Sequence, residues 1–275
     1  MAACCCDNNK WKVAGMDSAA ERVAVLLLAF GRRGATGDHS VSDLARAVGR
    51  ERSQVSRMLQ ALSRGGLVEQ DSQTKRYRLS WDMLVLAAGA GDSSLLRAAR
   101  PVLRALVART GEVALLSVQR GNRSLTVLRE ESNQSLRAGG WVGRSSPLHC
   151  TASGRALLFD TDDDLVAELV AEDLTTPISG LSAPRTLEEV LERLRSERDR
   201  GYSMASEEVE IGLTSVGVPL RTPAGGLVGV INVSGPTSRM INRLDDAARR
   251  LRAAATAIEN TLGRMPDGNG PGRSS

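Results

Sequence analysis

Apolar residues near the beginning of the chain recur at the three- and four-residue spacing of an amphipathic helix. They are Val23, Leu26, Leu27 and Phe30. Asp17-Ser18 precedes them and can cap a helix, and Gly31 follows them, so we predict a helix over residues 17–31. The glycines between Gly31 and Ser40 open no strand-to-helix turn and have no Lys-Ser or Lys-Thr after them, which indicates a flexible interhelical loop rather than a phosphate cradle.

The next two apolar stripes are short and lie on either side of Gly49. The first consists of Leu44, Ala45 and Val48, and the second of Val55, Met58, Leu59 and Leu62. A small residue such as Ala45 lets a second helix cross closely, and Gly49 supplies a tight turn and can adopt a positive φ. The pattern predicts a helix-turn-helix.

The polar residues on the outward face of the second helix carry guanidinium, hydroxyl and carboxamide groups. Such groups read base edges in the major groove, Arg on guanine and Gln on adenine, and they also hold phosphate oxygens. With Arg50 in the turn, the candidates are Arg52, Ser53, Gln54, Ser56, Arg57 and Gln60. We expect Gln54 and Arg57 to read bases and Arg52 and Ser53 to bind phosphate. The alternative is a helical hairpin with a solvated polar face.

Two short strands follow the helix-turn-helix. Leu67 to Gln70 has strand character, Asp71 to Thr74 reads as a turn, and Lys75 to Leu79 returns as a second strand. A basic hairpin directly after a recognition helix is typical of a wing. Its candidate phosphate or minor-groove contacts are Lys75, Arg76 and Arg78. The alternative is a structural hairpin whose charges only face water.

The composition is that of a globular protein, since 41% of the 275 residues are hydrophobic and 25% are charged. It excludes a disordered chain, a collagen-like chain and a disulfide-stapled miniprotein, and it allows about two domains. The longest apolar stretch, Val23 to Phe30, is far shorter than the roughly 20 residues of a membrane-spanning helix. No apolar signal segment opens the chain, so we expect a cytoplasmic protein with no membrane partner.

The formal net charge of +4 is concentrated in the first quarter of the chain. Residues 17–80 hold 11 basic and 7 acidic residues, whereas residues 81–275 hold 23 and 24. Only three of the 36 basic residues are lysine, and arginine offers a planar fork of donors suited to phosphate and guanine. Aromatic residues are 3% of the chain, which makes a base-stacking surface for single strands a poor fit.

The cysteines and histidines do not form a metal-binding pattern. Cys4, Cys5 and Cys6 are consecutive, Cys150 is distant, and no pair has the spacing of zinc ligands. We therefore expect no metal and no cofactor. The cysteine run lies in a segment without periodicity before Met16; a metal-binding, redox or acylated tail remains a weaker alternative.

These motifs resemble the IclR family of bacterial transcription regulators, from about Ala19 to Gly263. In the first part of the chain, Gly49 to Leu59 resembles the family's recognition-helix segment, and Gly66 to Glu69 with Tyr77 to Leu79 resembles its wing. In the second part, Pro147 to Leu158 resembles the family's effector-domain signature. The residues that follow in the family order are Glu207-Glu208, Gly212, Pro219 and Val233 to Pro236. The family pattern commonly has Pro where this chain has Glu51. A carboxylate there would lie close to DNA, and it either accepts from a cytosine amino group or pairs with a neighbouring Arg.

A short apolar pattern joins the two parts of the chain. Trp81, Leu84, Val85 and Ala88 have helical spacing, but the segment is too short to bury itself alone and indicates a partner chain. The resemblance implies a linker helix that pairs two DNA-binding domains, so we expect a homodimer or tetramer that reads inverted half-sites.

The remainder of the chain predicts an α+β domain. The predicted helices are Leu95 to Arg109 with an irregularity at Pro101, a helix that starts at the signature around His149, Leu187 to Arg200, and Arg239 to Leu262. The predicted strands are Glu112 to Gln119, Ser124 to Arg129, Val216 to Arg221 and Leu227 to Ser234. The resemblance implies a GAF-like fold for this domain. The predicted boundaries are a tail (1–16), a winged helix-turn-helix domain (17–80), a linker (81–92), an effector-binding domain (93–262) and a second tail (263–275).

Ligand binding is the function expected of the second domain. Thr151 to Gly154 are small residues that open a helix, and free backbone N–H groups there suit a carboxylate. The resemblance implies that an effector, often an organic acid or an aromatic molecule, lies between this helix and the sheet. The positions carried over are Ala152, Ser153, Leu213, Ser215, Asn232 and Ser234. Some relatives have an acid and a cysteine where this chain has Ala205 and Ser215. A packing role without a ligand is the alternative.

Catalysis is not expected. His149 and Cys150 are adjacent at a helix start, where their side chains diverge, so a base and nucleophile pair does not form readily. We expect a hydrogen-bonded structural histidine and a buried cysteine. The sequence thus predicts a sequence-specific, effector-responsive DNA-binding regulator, with a ligand sensor that uses its winged helix for protein contacts as the alternative.

Overall fold

The computed structural model describes residues 18–31, 38–88, 93–136, 138–139, 141–176, 180 and 182–264. The predicted N-terminal tail, nearly all of the predicted C-terminal tail, most of the glycine-rich loop and the end of the predicted linker lie outside these residues. The described chain falls into two compact units that meet in sequence between Ser93 and Ser94. Within the described residues, no helix is long and apolar enough to cross a membrane.

The N-terminal unit is a winged helix-turn-helix. In chain order it contains α1 (Ala19–Phe30), α2 (Val41–Val48), α3 (Arg52–Arg64), β1 (Val68–Gln70), β2 (Tyr77–Leu79) and α4 (Asp82–Ala88). The three apolar stripes of the sequence meet in one core, in which Leu26, Leu44, Val55 and Leu59 are almost fully buried. Because all three helices contribute to this core, their polar faces are turned outward.

Side-chain caps fix the beginnings of α1 and α2. Ser18 and Glu21 form a capping box at α1, and Ser40 and Asp43 form another at α2, each satisfying two backbone donors that the helix itself leaves free. At the end of α2, Gly49 has φ 64°, a left-handed conformation that carries no steric penalty for glycine. The positive φ that the sequence allowed at this turn is confirmed.

The C-terminal unit is an α+β domain, which confirms the predicted class. Its elements are α5 (Ser93–Thr110), β3 (Val113–Arg120), β4 (Arg123–Glu130), β5 (Ser145–Pro147), α6 (Ala152–Leu157), α7 (Asp163–Leu174), α8 (Leu187–Arg200), β6 (Ser203–Ser206), β7 (Leu213–Arg221), β8 (Leu227–Pro236), α9 (Thr237–Met240), a 3-10 turn (Ile241–Arg243) and α10 (Leu244–Leu262). Its described strands form one antiparallel sheet in the order β5-β4-β3-β8-β7-β6.

Helices cover both faces of this sheet. One face packs against α5 and α10 around Leu103, Leu116, Ile231 and Leu251. At the opposite face, Val230 joins a second core with α6, α7 and α8. Because side chains alternate along a strand, β8 contributes Ile231 to one layer and Val230 to the other.

Three features of the C-terminal unit differ from the predictions. The sequence prediction missed α7, although Val166, Leu169 and Val170 recur at helical spacing. It also missed β5 and β6, which are only three and four residues long. The last long helix begins at Leu244 rather than at Arg239, since α9 and the 3-10 turn precede it. The irregularity predicted at Pro101 is absent, because α5 is helical from Ser93 to Thr110.

Candidate DNA interface and effector site

The outward face of α3 presents polar side chains to solvent. Arg52, Ser53, Gln54, Arg57 and Gln60 are exposed and Ser56 is half-buried, whereas Val55, Leu59 and Leu62 on the opposite face are buried. The burial pattern therefore brings all the predicted α3 candidates onto one face. Two residues that the sequence prediction missed, Ala61 and Arg64, extend it toward the C-terminus. Their spacing of four and seven positions from Arg57 was the signal that could have found them.

A depression of about 490 Å³ lies at the turn between α2 and α3. It is lined by Ala45, Arg46, Gly49, Arg50, Glu51 and Gln54. The predicted candidate Arg50 is exposed at its edge, and the sequence prediction missed Arg46, one helical turn earlier. The depression thus carries two guanidinium groups together with the carboxylate of Glu51, so its charge is mixed.

The wing hairpin is tightened by Asp71. Its carboxylate accepts hydrogen bonds from the backbone N–H groups of Gln73 and Thr74 and from the Thr74 hydroxyl, and these bonds lower the pKa of Asp71. Lys75 follows with φ 57°, a left-handed conformation that is uncommon for residues other than glycine. The exposed Lys75 therefore lies in the turn, because the returning strand begins at Tyr77 and not at Lys75 as predicted.

The other two basic residues of the wing are already engaged. Arg78 pairs with Glu69, its cross-strand neighbour, at 3.0 Å. The Nε of Arg76 donates to the carbonyl oxygen of Asp38 at 2.9 Å, and its Nη2 lies 3.7 Å from the Asp43 carboxylate. Arg76 and Arg78 therefore hold the wing together, and contact with phosphate would compete with these bonds.

The first turn of α6 forms one wall of the candidate effector site. Thr151 caps the helix by accepting a hydrogen bond from the N–H of Gly154 at 2.9 Å. Ala152 and Ser153 follow as the first two helical residues, so their N–H groups have no partner within the helix. Gly154 permits the close approach of the preceding backbone, because a Cβ there would lie 2.4 Å from the carbonyl oxygen of Leu148.

The facing wall is the sheet. Ser215 of β7 lies opposite Ser234 of β8, and Gly217 lies opposite Asn232. Opposed residues share a face, as do residues two positions apart, so Leu213, Ser215, Asn232 and Ser234 all lie on one face.

Gly217 links the sheet to α6. A Cβ on Gly217 would lie 3.0 Å from the carbonyl oxygen of Ala152, and the hydroxyl of Ser203, the cross-strand partner of Gly217, donates to the same oxygen. The structure therefore packs the start of α6 against Gly217 and Ser203, on the sheet face that carries the predicted residues.

Two polar residues of this candidate site are buried. Asn232 is 4% exposed and Ser234 is 5% exposed. Within the described residues, the Oδ1 atom of Asn232 has no hydrogen-bond partner. A buried amide oxygen without a partner is costly, which suits a position where a ligand supplies the donor.

Neighbouring strands add polar residues that the sequence prediction missed. Ser117 lies on the same face as Leu115, the cross-strand partner of Asn232, and Thr126 lies opposite Ser117. On α6, Ser153 bonds to Ser124 at 3.1 Å. The alternation of Ser and Thr with apolar residues in β3 and β4 was the signal for them. Ala205 lies directly opposite Ser215, so both small side chains share this face of the sheet.

His149 does not fit the expected hydrogen-bonded histidine. It is fully buried, but among the described residues neither ring nitrogen has a hydrogen-bond partner. Burial, with the charges of Arg155 and Arg123, lowers the pKa of His149 to about 4. The expected burial of Cys150 is confirmed.

Arg155 anchors α6 from behind through a buried ionic network. It is fully buried and donates to both carboxylate oxygens of Glu197 and of Glu208, and to the carbonyl oxygens of His149 and Met204. Burial raises the pKa of Glu208 while the two neighbouring arginines lower it. The network connects α6 to α8, to β6 and to the segment that leads into β7.

A winged helix-turn-helix together with a helix-covered antiparallel sheet defines a DNA-binding regulator with a ligand-binding domain. Residues 19–72 match the profile described as "IclR helix-turn-helix domain", and residues 89–260 match "Bacterial transcriptional regulator IclR C-terminal". The chain belongs to the IclR family of bacterial transcription regulators, which confirms the resemblance.

Within the described residues, no group of three or more metal-ligating side chains lies together.

Curated relatives and solved structures align over most of the chain. It is 29% identical to the transcriptional repressor AllR of Salmonella paratyphi A, covering 90% of this chain and 91% of AllR, and 29% identical to the regulator KdgR of Dickeya chrysanthemi, covering 93% and 85%. A structure of an IclR regulator described as putative, from Silicibacter, has a TM-score of 0.70 at 27% identity and covers 91% of this chain and 98% of its own. An IclR homolog from Microbacterium hydrocarbonoxydans, complexed with 4-hydroxybenzoate, has a TM-score of 0.76 at 23% identity and covers 89% and 99%.

Proposed function

We propose that this chain binds an operator in duplex DNA through α3 and the wing, and that a small effector bound by its C-terminal unit changes operator binding. The exposed polar face of α3 carries this proposal. It combines guanidinium, hydroxyl and carboxamide groups on one helix face that follows a tight turn, and such a face fits the major groove.

The residues of the interface divide into two roles. Gln54 and Arg57 would read base edges, because they project from the first two turns of α3. Arg50, Arg52, Ser53 and Lys75 would bind phosphate, and Ser56 and Gln60 would add contacts along the helix face. Arg76 and Arg78 would contact the backbone only at the expense of their bonds within the unit.

The effector would bind between α6 and the sheet. Its carboxylate would accept from the N–H groups of Ala152 and Ser153, and Ser215, Asn232 and Ser234 would supply further polar contacts beside Leu213. The unpaired Oδ1 of Asn232 supports a ligand that also carries a hydrogen-bond donor. Regulation then requires that the effector bind one of two global states of the dimer more tightly than the other.

The DNA part of the proposal is tested by gel shift with duplexes from upstream of the protein's own gene and its neighbours. We expect retention of one fragment at a salt concentration that releases random DNA, with affinity falling steeply as salt rises. Equal, weak binding to all duplexes would instead favour the alternative, in which the winged helix contacts another protein.

The effector part is tested with 4-hydroxybenzoate and a panel of small carboxylates. At least one should raise the melting temperature of the wild-type chain, because a ligand that binds only the folded state stabilises it. Asn232→Leu, which keeps the branching and the number of side-chain heavy atoms but removes the polar groups, should abolish that shift. Asn260→Leu on the exposed face of α10 is the matched control and should retain it. A shift that survives in Asn232→Leu would contradict this site.

A further inference from the structure

Glu51 places a carboxylate at the beginning of the face that we propose binds DNA. It lies directly before α3, its side chain is exposed, and it lines the same depression as Arg50 and Gln54. The N-terminal residues of a recognition helix are the ones that contact base edges. We propose that Glu51 determines sequence specificity by accepting a hydrogen bond from the 4-amino group of a cytosine in the major groove, an inference that rests on the proposed operator binding.

The helix itself does not use this carboxylate. Glu51 occupies the N-cap position with extended backbone angles, φ −62° and ψ 138°, but its side chain accepts no hydrogen bond from the first turn of α3. Ser18 and Ser40, by contrast, cap α1 and α2 with their side chains. A Ser, Thr or Asp at position 51 would serve as a better cap. Helix capping therefore does not account for a glutamate here.

The neighbouring arginines do not neutralise it either. Arg50 and Arg52 flank Glu51 in sequence and Arg46 lines the same depression, but within the described residues Glu51 forms no ion pair. Arg46 instead pairs with Asp43 at 3.4 Å. Of the two roles that the sequence allows for Glu51, the pairing with an arginine is thus not the one that this structure contains.

Electrostatics then restricts what the carboxylate can do in a complex. Phosphate groups of the DNA repel the Glu51 carboxylate. The carboxylate therefore lowers the affinity for DNA unless it accepts a hydrogen bond from a donor in the complex. Base amino groups supply donors in the major groove. On adenine the acceptor N7 lies next to the amino group and would repel the second carboxylate oxygen, whereas cytosine presents its amino group without such an acceptor. The chemistry favours cytosine.

The experiment is selection of binding sites from a random duplex library with the full-length wild-type chain, followed by the same selection with Glu51→Ala. The wild type should select cytosine at one position of each half-site, and Glu51→Ala should lose that preference while keeping the others. Replacing that cytosine by 2-pyrimidinone, which lacks the 4-amino group, should weaken wild-type binding roughly tenfold and leave Glu51→Ala binding unchanged. Glu192→Ala, an exposed glutamate on α8, is the charge-matched control and should select as the wild type does.

The outcomes separate this inference from the proposed function. A selective wild type whose cytosine preference survives in Glu51→Ala overturns the role of Glu51 alone. Equal tightening of Glu51→Ala on every duplex also overturns it, because the carboxylate would then act only by repulsion. Selection of adenine at that position overturns the assignment to cytosine. An unselective wild type overturns operator binding, and the role of Glu51 with it.

Discussion

The guanidinium of Arg155 donates to both carboxylate oxygens of Glu208, at 2.5 Å from Nη1 and 3.0 Å from Nη2, with both side chains buried. Glu208 lies 53 positions later in the sequence, in the segment between β6 and β7. This contact therefore fixes the helix that begins with Ala152 to the hairpin that carries Ser215. The two walls of the candidate effector site are held together from outside the site itself.

Arg155→Met should destabilise the protein by about 3–5 kcal/mol, because Glu197 and Glu208 lose their fully buried charge partner and keep only the partly exposed Arg200 and Arg193. Urea unfolding at pH 7 measures the change. Arg193→Met is the control, since its guanidinium contacts Glu208 from a partly exposed position and should cost much less. Adding Glu197→Gln and Glu208→Gln to Arg155→Met should recover part of the loss. No recovery would indicate that packing around Arg155, rather than its charge, determines the effect.

The helix-turn-helix was predictable from the sequence because its determinants are local. The apolar stripes and Gly49 lie within about twenty residues, and each stripe encodes a helix face directly. The same holds for the candidate residues of α3, whose shared face follows from helical spacing.

The Arg155 network was not predictable, because its partners at Glu197 and Glu208 are 42 and 53 positions away and only the fold brings them together. The missing partners of the His149 ring were unpredictable for the same reason. The effector-site positions came from the resemblance, and strand alternation alone would have grouped only Ser215 with Leu213 and Asn232 with Ser234.

His149 should make stability fall in mild acid. Its pKa is about 4 in the folded chain against 6.5 for a free histidine, because burial disfavours the charged ring. The neutral ring stabilises the fold fully above pH 6.5, and this contribution is lost as the pH falls toward 4, by about 3 kcal/mol. His149→Phe removes the titrating ring. Urea unfolding between pH 7 and pH 4.5 should show a smaller loss for the variant than for the wild type, and parallel losses would contradict the assignment.

The exposed apolar residues in and directly before α4 should mediate dimerisation. Trp81, which precedes the helix, is 77% exposed, and Val85 within it is 72% exposed. Trp81→Ser with Val85→Ser should shift the protein toward monomer in analytical ultracentrifugation and weaken operator binding, since a monomer holds only one half-site. Leu165→Ser, an exposed leucine on α7, is the control. An unchanged sedimentation coefficient for the double variant would show that other surfaces hold the oligomer.

Arg57 and Arg76 should contribute to DNA binding in different ways. Arg57→Ala should cost about 1–3 kcal/mol on the operator and relax base preference, because a guanidinium on the exposed face of α3 would pair with a base edge. Arg76→Ala should weaken operator and random DNA similarly and should also loosen the wing, since it removes the bonds to Asp38 and Asp43. Fluorescence anisotropy on operator and random duplexes measures the two losses of affinity, and a thermal melt measures the loosening of the wing. Arg195→Ala, in the other unit, is the control. Equal losses on operator and random DNA for Arg57→Ala would assign that residue to phosphate instead.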